Sequence, residues 1–236
     1  MTFAIFNLRK LAAFHVECSF FCVLKRKIHQ EEEMGMEQKF SCGLSPIVGL
    51  RFSIHPMADH FIEIIKGALK EADTSNVWMH TDDVSTVMRG KQVHVFDTAK
   101  AIVLHAAKTG AHVAFNGTFS IGCPGDSAGD VYLEKDDIVL NEPHIRDLKQ
   151  YVSSQFALYP MNNPDYMSVI YKEVDRAKKH GVYNDSMHYA SGLHGDIHDV
   201  FAFLNESFSH SHSEQHKHLV MTVNMSINSP SHKGEA

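Results

Sequence analysis

The sequence has few cysteines, no excess of basic residues and no long uninterrupted apolar segment, and each absence excludes a class of protein. Its 236 residues include four cysteines, none in a CxxC pair. A disulfide framework or a zinc ribbon is therefore not expected, and we predict a reducing, cytoplasmic compartment. The formal net charge of −6 provides no basic surface for nucleic acid.

The most apolar part of the N-terminus is residues 11–24, which His15 and Glu17 interrupt. It is too short to span a bilayer and lacks the clean cleavage site of a signal peptide. Our hypothesis is that residues 1–35 are an over-extended gene start and that Met36 is the initiator. An amphipathic membrane anchor is the alternative.

Familiar catalytic motifs are also absent: the sequence contains no Walker A, HExxH or GxSxG pattern and no GxGxxG after a strand. The His-rich segment 210–218 could bind a metal, but its position between a predicted helix and strand favours a solvated turn. Asp82 and Asp83 could form a carboxylate pair for acid–base chemistry. A polar turn is the favoured interpretation. We therefore predict no catalytic residues, no metal site and no cofactor.

What the sequence does contain is an internal repeat. FSIHPM at 52–57 returns as FALYPM at 156–161, and the segments that follow each copy also correspond. The offset is 104 residues from Phe52 to Phe156, 105 from Gly90 to Gly195 and 106 from Pro124 to Pro230. Chance amphipathic patterning is the alternative, but Gly and Pro align as well as the apolar positions. A drift of single residues at loops is typical of a duplicated domain.

Each copy predicts the element order β-α-β-β-α-β. In the first strand Leu50, Phe52 and Ile54 alternate with polar residues, which indicates one buried face. The next segment carries Phe61, Ile64, Ile65, Ala68 and Leu69 at helical spacing, with Asp59 as the predicted N-cap. Gly110 is predicted to end the second helix as its C′ residue. The predicted strands are 47–57, 76–81, 84–90, 112–122, 154–160, 182–187, 188–194 and 217–228, and the helices are 58–72, 91–110, 163–179 and 196–212.

This order is the ferredoxin-like pattern, an α+β class in which two helices cover one face of an antiparallel sheet. We predict a 1–35 extension, a first repeat at 36–124, a linker at 125–153, a second repeat at 154–231 and a 232–236 tail. The linker is predicted to be structured, with a short helix at 144–150, because it carries several apolar residues.

The sheet face opposite the helices is predicted to be polar but nearly uncharged. Such a face suggests cover by another sheet or by a ligand, although a solvated face remains possible on composition alone. We favour packing of one sheet on another, between repeats or between subunits. The predicted residues are Arg51, Ser53, His55, Asn116, Thr118, Ser120, Gln155, Ala157, Tyr159, Thr222, Asn224 and Ser226.

The third strand of each repeat carries small polar residues, Ser85-Thr86-Val87 and Ala190-Ser191-Gly192. Small side chains leave room for a flat molecule against the backbone. Hydroxyls and backbone groups could then bind an aminopyrimidine edge, which needs both donors and acceptors. Close packing within the sheet is the other explanation of the same residues.

Several longer motifs resemble the YkoF family, over residues 36–231. They are DxSTVxRG (83–90), HVFDxAK (94–100), NGTFSIGCPGD (116–126), QFALYPMNxPDYM (155–167), HYASxLxGDxHDVF (188–201) and MTVNxSxNSPS (221–231). The resemblance implies a dimer of tandem ferredoxin-like repeats that binds thiamin or its hydroxymethylpyrimidine precursor (HMP), with one site in each repeat. It implies a non-enzyme whose gene lies beside components of an HMP transporter, and a chain that starts near Met36.

The resemblance and the open sheet face together give the expected ligand-binding residues. Ser85, Thr86 and Ser191 are the expected pyrimidine contacts. Because Arg51 and Asp83 in the first repeat correspond to Gln155 and His188 in the second, we predict unequal affinities. A ligand-sensing module that acts on a transporter and an enzyme acting on the pyrimidine are the alternatives. The full set is Arg51, Ser53, Ser85, Thr86, Asn116, Gln155, Ala190, Ser191 and Asn224.

Overall fold

A computed structural model describes residues 45–123, 131–212 and 218–231. The proposed N-terminal extension, and residues 213–217 of the His-rich segment, lie outside these ranges. The strands are β1 (Val48–Pro56), β2 (Trp78–Thr81), β3 (Thr86–Gly90), β4 (Val113–Ile121), β5 (Tyr151–Pro160), β6 (Tyr183–Met187), β7 (Ala190–Asp196) and β8 (Leu219–Ile227). The helices are α1 (Phe61–Glu71), α2 (Gln92–Ala107), α3 (Glu142–Ile145), α4 (Tyr166–Lys179) and α5 (Ile197–Ser211).

The predicted α+β fold of two ferredoxin-like repeats is confirmed. Within each repeat the first strand is central, between the third and the fourth, and all pairings are antiparallel. Strand residues alternate as the sequence predicts. In β4, for example, Val113, Phe115 and Phe119 are fully buried beneath the helices, whereas Asn116 and Thr118 are exposed on the opposite face.

The two repeats join edge to edge, so the predicted packing of one repeat's sheet face on the other is wrong. Strand β4 pairs with β8 over their full length, which produces one eight-stranded sheet in the order β2-β3-β1-β4-β8-β5-β7-β6. Gly117 pairs with Val223, its own counterpart in the repeat, so a pseudo-twofold axis passes between them. The fourth strand of an isolated repeat would be an unpaired edge, and this union satisfies the hydrogen bonds of both fourth strands.

All twelve residues predicted for the open face do lie together on the side away from the helices, exposed or partly exposed. On the other side, α2 and α5 pack against each other across the pseudo-twofold axis. Phe96 of α2 stacks on Phe119 with ring centroids 4.3 Å apart, and Phe208 of α5 lies 5.9 Å from Phe96. The hydrophobic core is therefore continuous between the repeats.

The segment between the repeats is structured where it is described, and it covers α2. Asn141 donates from its backbone N–H and its Nδ2 to Asp97 Oδ2, at 3.0 and 2.9 Å. It also accepts from the Asp73 N–H at 2.7 Å. Lys100 bonds Glu142, and Ile145 is fully buried. The short helix is α3 (Glu142–Ile145) rather than the predicted 144–150, because Pro143 suits the first turn of a helix.

Several local predictions are corrected. Asp59 is not the N-cap of α1: that position is His60, and no side chain caps the helix. Phe61 is not a core residue, since 47% of it is exposed. Gly110 has φ +80° but lies two residues beyond the C-cap Lys108. Strand β5 begins at Tyr151, ahead of the predicted 154. Within the three described ranges, no helix has the length and apolar character needed to cross a bilayer.

Candidate functional site

In the second repeat, β5 continues past the end of its pairing with β7. The two strands pair from Tyr151 to Phe156, whereas β5 stays paired with β8 as far as Pro160. Residues 157–160 therefore have one edge that no described strand covers. A cavity of about 420 Å³ lies there, between this edge, the start of α4 and the start of β7.

We call this cavity the repeat-two notch. Its wall is mostly apolar and aromatic, and the hydroxyl of Ser191 and the uncovered backbone edge supply polar groups. An apolar cavity with a few placed polar groups, within the usual range of about 300–1,000 Å³, is typical of a small-molecule site. It is lined by Phe156, Ala157, Leu158, Tyr159, Pro160, Met161, Tyr166, Met167, Ile170, Tyr189, Ala190 and Ser191.

The first repeat has the same strand geometry. Strand β1 pairs with β3 only as far as Phe52 but with β4 as far as Pro56. We call the region at the uncovered edge of 53–56 the repeat-one notch. By the repeat alignment its wall positions are Phe52, Ser53, Ile54, His55, Pro56, Met57, Phe61, Ile62, Ile65, Val84, Ser85 and Thr86.

Large apolar side chains are exposed at the same four positions of both notches. In repeat one Met57 is 61%, Phe61 47%, Ile62 49% and Val84 84% exposed. Their counterparts Met161, Tyr166, Met167 and Tyr189 are 45%, 48%, 39% and 95% exposed. Single exposed apolar residues are ordinary, but a cluster that recurs at equivalent places indicates a contact surface. We call these two sets the apolar rims.

The tip of the second hairpin holds one rim residue in an uncommon backbone conformation. Tyr189 has φ +70°, a region that bulky residues rarely adopt. Gly192 beside it leaves no room for a side chain, since a Cβ there would lie 2.8 Å from Met187 Cε and 3.2 Å from the Asp185 carbonyl oxygen. The small residue on this third strand therefore serves close packing, one of the two explanations considered from the sequence. Ala190 and Ser191, next to Gly192, line the cavity, which agrees with the other explanation, room for a flat ligand.

Beside each notch, one contact links the first strand to the hairpin, and its chemistry differs between the repeats. Arg51 Nη1 donates to Asp82 Oδ2 at 2.6 Å and to Ser85 Oγ at 2.8 Å. Arg51 and the backbone N–H groups of Val84 and Ser85 hold the pKa of the Asp82 carboxyl well below its usual range. In repeat two the equivalent contact is uncharged: Gln155 Nε2 lies 3.2 Å from Met187 Sδ.

The structure divides the predicted ligand-binding residues into three groups. Ser53, Ser85 and Thr86 lie at the repeat-one notch, with Arg51 beside it. The Thr86 hydroxyl bonds that of Thr81 at 2.9 Å, and the Ser53 hydroxyl bonds His55 at 3.0 Å. Ala190 and Ser191 line the repeat-two notch. Gln155 does not; it lies on the open face, where it lines a separate cavity with Asn224.

The third group, Asn116 and Asn224, lies at the centre of the sheet. They face each other across β4 and β8, and the register continues from them to Ser53 on one side and Gln155 on the other. These four side chains thus form one row across the open face, about 15 Å long at the usual strand spacing. The two asparagines remain predicted ligand residues, but each lies a strand or more away from the uncovered edges.

No group of His, Cys, Asp and Glu residues suited to a metal ion occurs among the residues that the structure describes. His218, at the end of the His-rich segment, instead lies with its Nε2 3.5 Å from Ser120 Oγ. Its counterpart His112 bonds Ser226 in the same way, at 2.9 Å.

Sequence reasoning missed the apolar rims. Phe61 and Ile62, like Tyr166 and Met167, belong to segments whose apolar spacing predicts a helix with a buried face, and this spacing does not distinguish them from core residues. A usable signal was present: Met57 and Met161 follow the strand-ending prolines at identical places, beyond the last residue that a strand can bury.

Comparison with known proteins agrees with this architecture. A family model described as "YKOF-related Family" matches residues 47–126 and again 151–232, one match for each repeat. The chain is 56% identical over 192 residues to a Bacillus subtilis (strain 168) protein named "Putative HMP/thiamine-binding protein YkoF", which covers 81% of this chain and 96% of that protein. The chain belongs to the YkoF-related family.

Proposed function

We propose that this protein binds thiamin or HMP without chemical turnover, with one molecule in each notch. The observation that carries the proposal is the recurrence of the apolar rim beside an uncovered strand edge in both repeats. The ligand class comes from the name of the relative.

The chemistry of the notches suits an aminopyrimidine. The ring is flat and has an edge with both donors and acceptors, so its binding requires an apolar slot and polar partners of both kinds. At the repeat-two notch, Phe156, Tyr166 and Met167 supply apolar contacts, and the Ser191 hydroxyl can donate or accept. At the repeat-one notch, Asp82 can accept while Arg51 and Ser85 can donate.

The physiological role that fits this binding is uptake or salvage of the vitamin in the cytoplasm, with components of an HMP transporter as partners. We further propose that the protein is a homodimer that pairs through the open sheet face. Its central rows, among them Asn116, Thr118, Thr222 and Asn224, are uncharged and exposed or partly exposed, which suits cover by a second copy. If the full chain sediments as a monomer at micromolar concentration, the proposed homodimer is contradicted and the proposed ligand binding is not.

Isothermal titration of the full chain with thiamin, and separately with HMP, tests the proposed function. We expect saturable binding close to two molecules per chain and no altered ligand in the recovered solution. Ser85→Trp and Ala190→Trp are a matched pair, because these residues occupy equivalent, partly buried positions at the two notches. Each substitution is expected to fill its own notch and reduce the stoichiometry by one.

Two results would contradict the proposal. The first is the absence of binding heat with either ligand from a chain that melts cooperatively. The second is a stoichiometry of two that persists in both tryptophan variants, since the ligand would then bind elsewhere.

A further inference from the structure

The tips of the hairpins beside the two notches carry different charge. Repeat one has Asp82 and Asp83 at the tip of the hairpin that joins β2 to β3, where repeat two has Met187 and His188. With histidine neutral, the first tip carries two negative charges and the second carries none.

The two carboxylates of the first tip are not equivalent. The charge of Asp82 is offset by Arg51, and its oxygens also accept from the backbone of Val84 and Ser85. Asp83, in contrast, is exposed, and its carboxylate takes part in no hydrogen bond or ion pair within the described part of the chain. Its negative charge is therefore uncompensated, directly beside the rim residue Val84.

The helix side of the notches does not cancel this difference. One carboxylate precedes the helix in each repeat, Asp59 before α1 and Asp165 before α4. Glu63 and Lys66 of α1 stand where α4 has Ser168 and Tyr171, and their opposite charges offset each other. Repeat two has an exposed carboxylate of its own in this hairpin, Asp185 of β6, but it lies two residues before the tip, where repeat one has His80. At the tips themselves the difference is close to one negative charge, that of Asp83.

We infer that Asp83 makes the repeat-one notch selective for a cationic heterocycle, whereas the repeat-two notch takes the neutral ring nearly as well. The inference rests on the proposed function. Thiamin carries a permanent positive charge on its thiazolium ring, and HMP at neutral pH carries none, so the two ligands report the effect directly. One exposed charge in water at a separation of about 4–8 Å corresponds to an affinity factor of about two to five.

The test measures the ratio of the two dissociation constants, that of HMP over that of thiamin, at each notch. Ala190→Trp leaves the repeat-one notch open, and Ser85→Trp leaves the repeat-two notch open. We expect the ratio at the repeat-one notch to be about two to five times the ratio at the repeat-two notch. Asp83→Asn in the Ala190→Trp chain should lower the ratio at the repeat-one notch to that of the repeat-two notch. His188→Asp in the Ser85→Trp chain should raise the ratio at the repeat-two notch to that of the repeat-one notch.

Asp147→Asn is the control, because Asp147 is also an exposed carboxylate but lies in the segment between the repeats. Salt gives a second readout: thiamin binding at the repeat-one notch should weaken as ionic strength rises, and HMP binding should not. Equal ratios at both notches, or an Asp83→Asn variant with unchanged thiamin affinity, would overturn this inference while the proposed function stands. Absence of binding by both ligands would instead remove the proposed function.

Discussion

The central helices of the two repeats descend from the same segment of the duplicated unit, yet they are buried to different extents. In α2, 13 of 16 residues are buried, and in α5, 8 of 15 are. Both helices lie on the sheet and pack against each other, so the difference comes from their other neighbours. Helix α1 contacts α2 more extensively than α4 contacts α5, and the segment that joins the repeats adds further cover. It covers α2 through Asn141, Glu142 and Ile145, and α5 receives less of this cover.

The notches differ much less than the helices do. Their strand register is the same, and each exposes large apolar side chains at four matching positions. The polar contact beside each notch differs, however, since Arg51 and Asp82 correspond to Gln155 and Met187. The strand register and the apolar rim of the site were therefore retained after duplication, while cover and charge diverged.

The sharpest difference between paired positions is on the pseudo-twofold axis, where Gly117 faces Val223. A Cβ at position 117 would lie 2.8 Å from Phe115 Cε1 and 3.2 Å from Leu50 Cδ1. Phe115 and Leu50 are fully buried, and the Phe115 ring stacks on Phe52, so neither can move away easily. We expect Gly117→Ala to lower the free energy of unfolding by about 2–3 kcal/mol, measured by urea denaturation.

Gly49→Ala is the matched control for that substitution. Gly49 also lies in a strand of the same sheet, but a Cβ there would meet only the Ser120 carbonyl oxygen, at 3.9 Å. The free energy of unfolding of Gly49→Ala should stay within about 0.5 kcal/mol of wild type, because the added methyl group causes no clash and alanine restricts the unfolded chain. Equal destabilisation by the two substitutions would show that the glycine at the axis has no special packing role.

The cover of α2 can be removed at Asn141. Its side chain accepts from the Asp73 N–H at 2.7 Å and donates to Asp97 and to the Asp73 carbonyl, and it is 3% exposed. Asn141→Ala leaves the buried Asp97 with fewer partners, so we expect a loss of about 2 kcal/mol in the free energy of unfolding. Asn184→Ala, at an exposed position of β6, should have little effect. A neutral Asn141→Ala would mean that the joining segment contributes no stability to the helix beneath it.

The fold could be predicted from the sequence because its signals are local. Alternation in segments such as 113–121 and helical spacing in 197–211 identify the elements, and the repeat fixes their order twice. The union of β4 with β8 could not be predicted in this way. Both strands bury one face whether they are edge strands or central ones, and the hydrogen bonds that distinguish the two cases involve backbone atoms, which every sequence supplies.

The site was only partly predictable for a related reason. Ser85, Ala190 and Ser191 were found because small residues on a central strand are unusual. The rim residues Phe61 and Tyr166 were not, because periodicity shows which face of a helix is apolar but not how far the sheet beneath it extends. Their exposure follows from the early end of β3 and β7 pairing, at Phe52 and Phe156. That is a property of the register rather than of any residue.

The smallest expected effect concerns a histidine that the repeats bury unequally. His105, near the end of α2, is 7% exposed, and its counterpart His210 in α5 is exposed. Neither ring nitrogen of His105 makes a hydrogen bond, although its Nδ1 lies 3.3 Å from Glu71 Oε2. Burial, together with the nearby Lys108, lowers the pKa of His105, and the attraction of Glu71 only partly opposes this.

The sign of the resulting pH dependence follows from linkage. Below about pH 6.5 the unfolded chain protonates this histidine, whereas the folded chain keeps it neutral until its lower pKa is reached. The free energy of unfolding should therefore fall as pH drops below about 6.5, and His105→Gln should reduce that fall. Urea titrations at a series of pH values measure it, with His210→Gln as the matched variant that should leave the slope unchanged. If the two substitutions change the slope equally, the pH dependence arises from histidine content in general, and unequal burial of the paired helices has no part in it.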